Sequence, residues 1–267
     1  MKEILRRALT GAIYVVLLLG SVFLSSDAFD FLFMIFGLAC LYEFKRIVRI
    51  RGYYIFVAYL AVWGIFIHIT QHPLLINMLL VLTLLVNFAL LKFLFSIKKT
   101  EFTSVQKFVI AVLYIGGGCI FLTMIPYKNN EFAKFLIMGI FILIWVNDTF
   151  AYLVGKSMGR TKLFPRVSPN KTVEGSFGGL IFACVAAYFM AYFETSLTLW
   201  QWILLAAIIV VTGNLGDLLE SKFKRLAKVK DSGAILPGHG GIWDRLDSLI
   251  FAAPFAYLTL NIFSYVS

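Results

Sequence analysis

Long apolar runs alternate with short polar stretches along the whole chain. Nine runs stand out, near residues 8–24, 28–45, 53–70, 74–96, 105–126, 133–155, 176–193, 199–218 and 243–264. Most approach the roughly 20 apolar residues that an α-helix needs to cross a hydrocarbon core. A membrane β-barrel would show short alternating segments instead. The pattern predicts an all-α, polytopic integral membrane protein with about nine transmembrane helices, packed as one domain over 1–267. The first run has the basic start of a signal peptide but no clear small-x-small cleavage site, so it reads as a retained first helix. The first five runs carry few polar residues. The last four carry Asn147, Asp148, Asn214 and Asp217. Residues 1–130 therefore read mainly as scaffold, and 131–267 as the working half, with polar loops at 156–175 and 219–243.

Composition agrees with this pattern. The 267 residues are 61% hydrophobic and only 14% charged, against about 25% charge in soluble domains. The net charge of +10 could suggest nucleic acid, but its distribution points elsewhere. Every Lys and Arg except Lys128 and Lys134 falls in the N-terminal tail or in the second, fourth, sixth and eighth loops. That is the positive-inside pattern. It predicts a cytoplasmic N-terminus, an outside C-terminus, and cytoplasmic loops at 156–175 and 219–243; no nucleic-acid partner is implied. Cys40, Cys119 and Cys184 each lie in an apolar run without a CxxC pair. They read as small buried residues rather than disulfide or zinc ligands.

The acids can be placed individually. Glu3, Asp27, Asp30, Glu43, Glu101, Glu131 and Glu194 lie in tails, short loops or helix ends and read as solvated or paired charges. Asp148, Glu174, Asp217, Glu220, Asp231, Asp244 and Asp247 all lie in or beside the two long basic loops. Asp148 sits inside an apolar run, where an ionised carboxylate is costly without a cation or water. Asn214, Asp217 and Ser221 share one helical face at i, i+3 and i+7, and Asp244 and Asp247 share another at i, i+3. Carboxylates converging at a helix mouth suit Mg²⁺ and phosphate chemistry. The neighbouring His239 does not make a zinc site. Lys222, Lys224, Arg225, Lys228, Lys230 and Arg245 surround these acids. Some of them, Lys228 above all, read as a solvated fringe; together with a metal, such bases suit a polyphosphate. Pro237–Gly241 supplies a turn whose backbone could approach an anion. Ser168 and Pro169 look like an N-cap and first helical position, which would put Lys171 and Glu174 on one face of a first turn.

Twelve positions, Ser221, Lys224, Arg225, Lys230, Asp231, Pro237, His239, Gly240, Gly241, Asp244, Arg245 and Asp247, fall in the pattern S-x-x-K-R-x4-K-D-x5-P-x-H-G-G-x-x-D-R-x-D. This resembles the signature of the phosphatidate cytidylyltransferase, or CDP-diacylglycerol synthase, family in its bacterial form. Asp148–Tyr152, Gly155, Gly159–Arg160 and the Ser168–Gly175 stretch resemble it further upstream. The resemblance implies the reaction CTP + phosphatidate → CDP-diacylglycerol + pyrophosphate, in the bacterial inner membrane with the site facing the cytoplasm. It implies Mg²⁺, with a second, monovalent cation such as K⁺. Asp217 and Asp244 would hold the principal metal, with Asp247 and Asp148 beside it. Lys230, Asp231 and His239 would complete the catalytic set. Lys224, Arg225 and Arg245, with Ser221, and more weakly Lys171 and the Gly240–Gly241 backbone, would bind substrate. The partners are the two substrates and the bilayer; pairs such as Gly175 and Gly179 would also permit a homodimer.

Two other readings compete. A CTP-dependent lipid kinase would release CDP instead of pyrophosphate. An ion-coupled transporter would use a mid-membrane acid such as Asp148, but the acids cluster with the loops and no inverted repeat is visible.

Overall fold

The computed structural model describes residues 2–70, 72–98, 101–128, 131–236, 238 and 240–266. Among these the chain is almost entirely helical. The helices are α1 (Lys2–Leu24), α2 (Ser26–Val48), α3 (Tyr54–Trp63), α4 (Pro73–Phe95), α5 (Ser104–Val109), α6 (Gly117–Met124), α7 (Lys134–Met158), α8 (Val173–Phe193), α9 (Leu199–Leu226) and α10 (Trp243–Val266). π-helical turns extend α3 over Gly64–Ile69 and join α5 to α6 over Ile110–Gly116. A helical rod therefore lies at each of the nine apolar runs.

Six of these rods are long and apolar enough to cross a membrane: Pro73–Phe95, Ser104–Met124, Lys134–Met158, Val173–Phe193, Leu199–Leu226 and Trp243–Ser264. Leu9–Leu24 and Tyr54–Ile69 are shorter apolar helices. α2 carries charge at both ends, with Asp27 and Asp30 near its start and Glu43, Lys45 and Arg46 near its finish.

Local chemistry sets the helix ends. Ser25 Oγ accepts from Ala28 N at 3.0 Å and starts α2. A capping box, with Thr103 and Gln106 each bonding the other's backbone N–H, starts α5. Pro73 opens α4, where its missing N–H costs nothing. In α10, Pro254 has no N–H to give the Ile250 carbonyl. That carbonyl faces Gly118 of α6, where an added Cβ would collide with it. The first half of the chain thus packs backbone to backbone against the last helix.

The core is aromatic. Phe44 of α2 stacks edge-on to Phe223 of α9 (5.4 Å between centroids) and to Trp243 of α10 (5.3 Å), and Phe93 of α4 lies 5.1 Å from Phe223. Large apolar side chains such as Phe177, Ile181, Phe189 and Tyr192 of α8 point outward, as expected for a lipid-facing helix. Lipid is as apolar as these side chains, so helix association rests on close packing and polar contacts more than on a hydrophobic gain.

The structure corrects the sequence reading in several places. The chain is not purely α-helical: antiparallel hairpins pair β1 (Tyr127–Lys128) with β2 (Glu131–Phe132) and β3 (Lys162–Phe164) with β4 (Ser168–Thr172). Ser168 and Pro169 do not start a helix; they lie in β4, where a short two-stranded edge tolerates proline. α8 begins at Val173, capped by Thr172 Oγ1 accepting from Gly175 N at 3.1 Å. Lys171 and Glu174 are therefore on a strand and a helix rather than one helical turn. α9 runs on past the apolar run to Leu226 and absorbs the start of the expected 219–243 loop. Asp30 and Glu43 are not solvated. Asp30 accepts from Tyr127 OH at 2.8 Å, and Glu43 is 1% exposed.

Candidate active site at the ends of α7, α9 and α10

Three carboxylates meet where α9 passes α10. Asp217, Glu220 and Asp247 each offer an oxygen within 4.8 Å of the others'. Helical spacing explains the first two, since i and i+3 on α9 lie on one face. Asp247 comes from the first turns of α10 and accepts its neighbour's N–H, Ser248 N, at 2.8 Å. Ser221 Oγ donates to Asp217 Oδ1 at 3.3 Å.

Two lysines balance part of this charge. Lys171, presented by β4, forms an ion pair with Asp217. Lys224, one turn beyond Glu220, lies 2.6 Å from Glu220 Oε2 and 2.6 Å from Asp244 Oδ1. Glu220 Oε1 is buried and has no hydrogen-bond partner. Orphaned buried carboxylate oxygens are costly, and one on a side chain clustered with two further acids invites a cation. All the donors are hard oxygens, which fit Mg²⁺ far better than a softer metal.

Beside the cluster lies a cavity of about 470 Å³. Asp148 of α7, Lys156, Asn170, Lys171, Asn214 and Asp217 are among its walls. Asn147 Nδ2 donates to Asp148 Oδ1 at 3.1 Å. Across Ser176 and Asn214 it adjoins an apolar recess of about 250 Å³, lined by Phe95, Leu163, Phe164, Val211, Leu215 and Leu218 as well. The β3–β4 hairpin forms one rim. Glu174 holds it there by accepting from Arg160 N at 3.1 Å and Thr161 N at 3.0 Å. Arg225 joins the hairpin to α9, its Nε reaching Val167 O at 3.4 Å.

The expected site residues divide into groups. Asp148, Lys171, Asp217, Ser221 and Asp247 come together around the cavity and cluster. Asp244 does not share the three-acid cluster. Its Oδ2 accepts from Ser232 N (2.9 Å) and Gly241 N (2.7 Å), while Oδ1 takes Lys224. Gly241's N–H is thus engaged by a carboxylate. Gly240, at φ 86°, gives its carbonyl to Leu236 N. Arg225, Lys230, Asp231 and Arg245 are exposed around this loop. His239 and Pro237 lie outside the described residues.

Two acids were undervalued from sequence. Glu220 is i+3 from Asp217 and i−4 from Lys224, a spacing that was legible. Glu43 continues the buried α2 stripe of Phe29, Phe33, Phe36 and Cys40; an acid in that register signals a buried partner.

A polytopic helical membrane protein that gathers acids and lysines beside a polar cavity at its helix ends is the class that fold and site define. The comparisons make the class specific. The sequence profile of the cytidylyltransferase family matches residues 5–263, and the chain belongs to that family of enzymes. It is 35% identical over 277 residues to the phosphatidate cytidylyltransferase of Bacillus subtilis (strain 168), covering 99% of this chain and 100% of that protein. It is 42% identical over 153 residues to the enzyme so named from Staphylococcus haemolyticus (strain JCSC1435), covering 57% of each chain. For Staphylococcus aureus (strain COL) the figures are 44% over 154 residues and 57% of each.

Proposed function

We propose that the protein transfers the cytidylyl group of CTP to phosphatidate, giving CDP-diacylglycerol and pyrophosphate. One observation carries this reading: a polar cavity with two lysines and a carboxylate cluster adjoins an apolar recess across Ser176 and Asn214. A substrate pair that is half polyphosphate and half lipid needs both surfaces side by side. The relatives' names agree with it.

Asp217, Glu220 and Asp247 would hold Mg²⁺, and Asp148 lines the same cavity as Asp217. Bound there, Mg²⁺ would neutralise phosphate charge as pyrophosphate leaves. Lys171 and Lys156 bind phosphate oxygens, and Asn170 and Asn214 orient them. Lys224 fixes Glu220 and Asp244. The lipid phosphate is already ionised near neutral pH, so its oxygen attacks the α-phosphorus without a strong general base. Positioning and charge neutralisation supply the rate. The acyl chains lie toward the apolar recess, between helices.

The chain crosses the bacterial inner membrane nine times, with its N-terminus and site in the cytoplasm, where CTP is. The distribution of Lys and Arg supports this orientation.

Purified protein incubated with CTP, phosphatidate and Mg²⁺ should release pyrophosphate and liponucleotide in equal amounts. CDP as the nucleotide product would establish the kinase reading instead. Asp217→Asn and Asp247→Asn should each abolish turnover in protein that still elutes as wild type. Near-normal turnover in either removes it from the ion-binding set.

A further inference from the structure

Glu43 lies on α2, in the half of the chain remote in sequence from the carboxylate cluster, yet it is buried against the loop that leads into α10. Its Oε1 accepts from Ile242 N at 3.0 Å. Its Oε2 accepts from Trp243 N at 2.9 Å and from Ser232 Oγ at 2.7 Å. Those two N–H groups open α10, where helix geometry leaves donors without intrahelical partners. A carboxylate there also complements the positive end of the helix. Glu43 therefore caps α10 from another helix. Helix N-termini are usually capped from their own chain neighbours; this one is fixed from outside.

The contact continues toward the site. Ser232 Oγ also lies 3.0 Å from Asp244 Oδ2, so its single proton is shared between Glu43 and Asp244. Asp244 holds Lys224, and Lys224 holds Glu220 of the cluster. Two glycines make room for the carboxylate. A Cβ on Gly233 would lie 2.5 Å from Glu43 Oε1 and 2.8 Å from its Cδ. A Cβ on Gly241 would collide with Glu43 Oε2 and with Ser232 Oγ. The glycine at 241 is thus required by close approach to a buried side chain, and its N–H is already given to Asp244.

We propose that Glu43 is a positioning residue for cytidylyl transfer: it pins the start of α10 and Ser232 ahead of it, and through Ser232, Asp244 and Lys224 it sets Glu220 in the cluster. This rests on the function proposed above. Glu43 touches neither cavity nor cluster and so acts on the reaction only through other groups.

The test uses the full-length protein in detergent with phosphatidate, CTP and Mg²⁺. Glu43→Ala should lower kcat about 100-fold, the scale on which small misplacements act, and raise the Mg²⁺ concentration for half-maximal rate. Partial unfolding would lower apparent kcat but leave that concentration unchanged. Glu43→Gln keeps one acceptor oxygen but places an NH2 donor where the second backbone N–H needs an acceptor, so it should recover only part of the loss. Amide exchange at Ile242 and Trp243, read without substrate, should quicken in Glu43→Ala and less so in Glu43→Gln, which keeps one of the two acceptors. Gly233→Ala should impair the wild-type background and be nearly silent in Glu43→Ala, because the atoms it would strike are gone. Unchanged amide exchange together with an unchanged Mg²⁺ requirement in Glu43→Ala overturns the proposal, as does equal damage from Gly233→Ala in both backgrounds. If wild-type protein forms no CDP-diacylglycerol, the functional reading fails instead, and exchange and melting temperature still decide the role of Glu43.

Discussion

Lys224 shows how one side chain governs several others. It is 12% exposed and bridges Glu220 and Asp244, so removing it leaves two acids facing each other without their cation. Breaking one partner out of a buried ion pair costs about 3–5 kcal/mol, and Lys224→Met should lower the melting temperature accordingly. Mg²⁺ should recover part of the loss by taking up the freed charge. A melting curve that matches wild type would mean the pair is solvated. Lys228 provides the contrast. It is exposed and in a left-handed conformation, φ 58°, which asparagine tolerates. Lys228→Asn should stay within about 0.5 kcal/mol of wild type and keep its activity. From sequence both lysines fall in the expected 219–243 loop; the structure carries α9 on to Leu226, so that Lys224 is i+4 from Glu220 on the helix and Lys228 lies past its end. Asp244 and Glu220 were harder to separate. Both pair with Lys224 in the fold; the i+3 spacing puts Glu220 beside Asp217, but only the fold shows that Asp247 joins them and Asp244 does not.

At the scale of elements, two ties decide where the site's rims lie. Lys222 turns away from the acids. Its Nζ donates to the Phe93, Leu94 and Ser96 carbonyls, the last at 2.9 Å, and sits 4.2 Å from the Phe93 ring centroid. It thereby caps the C-terminus of α4 from α9. Lys222→Met should destabilise by about 1–3 kcal/mol through the carbonyls left unpaired, measured by thermal melting, while KM for CTP stays unchanged. Glu174 is the second tie. Glu174→Ala frees the Arg160 and Thr161 N–H groups and lets the β3–β4 hairpin, which carries Lys171, move. KM for CTP should rise several-fold with little change in kcat; an unchanged KM would detach the hairpin from nucleotide binding. The hairpin itself was not legible. Its strands are three and five residues long, too short for a period-two pattern to show, and Ser-Pro fits a helix start equally well.

For the whole molecule, the charge asymmetry makes a claim that can be checked directly. A reporter fused after Ser267 should be active only outside the cytoplasm, and one inserted in the 219–243 loop only inside it; the reverse result would invert the topology. The helical rods were readable because they depend on sums over many residues. Twenty apolar positions in a row make a helix whatever their neighbours do, since unpaired backbone groups are too costly in lipid. The same holds for the acids of the α9 and α10 faces, whose spacing is local. What no local pattern could decide was which distant segments meet. Glu43 reads as one more charge near Lys45 and Arg46 until α2 is packed against the start of α10. Lys171 and Asp217 are 46 positions apart, and their ion pair depends on how β4 is folded back over α9. The sequence by itself determined the helices, their apolar faces and the candidate acids. The tertiary structure alone decided which acids share a cation, because that depends on distances of a few ångströms between helices whose crossings are set by packing.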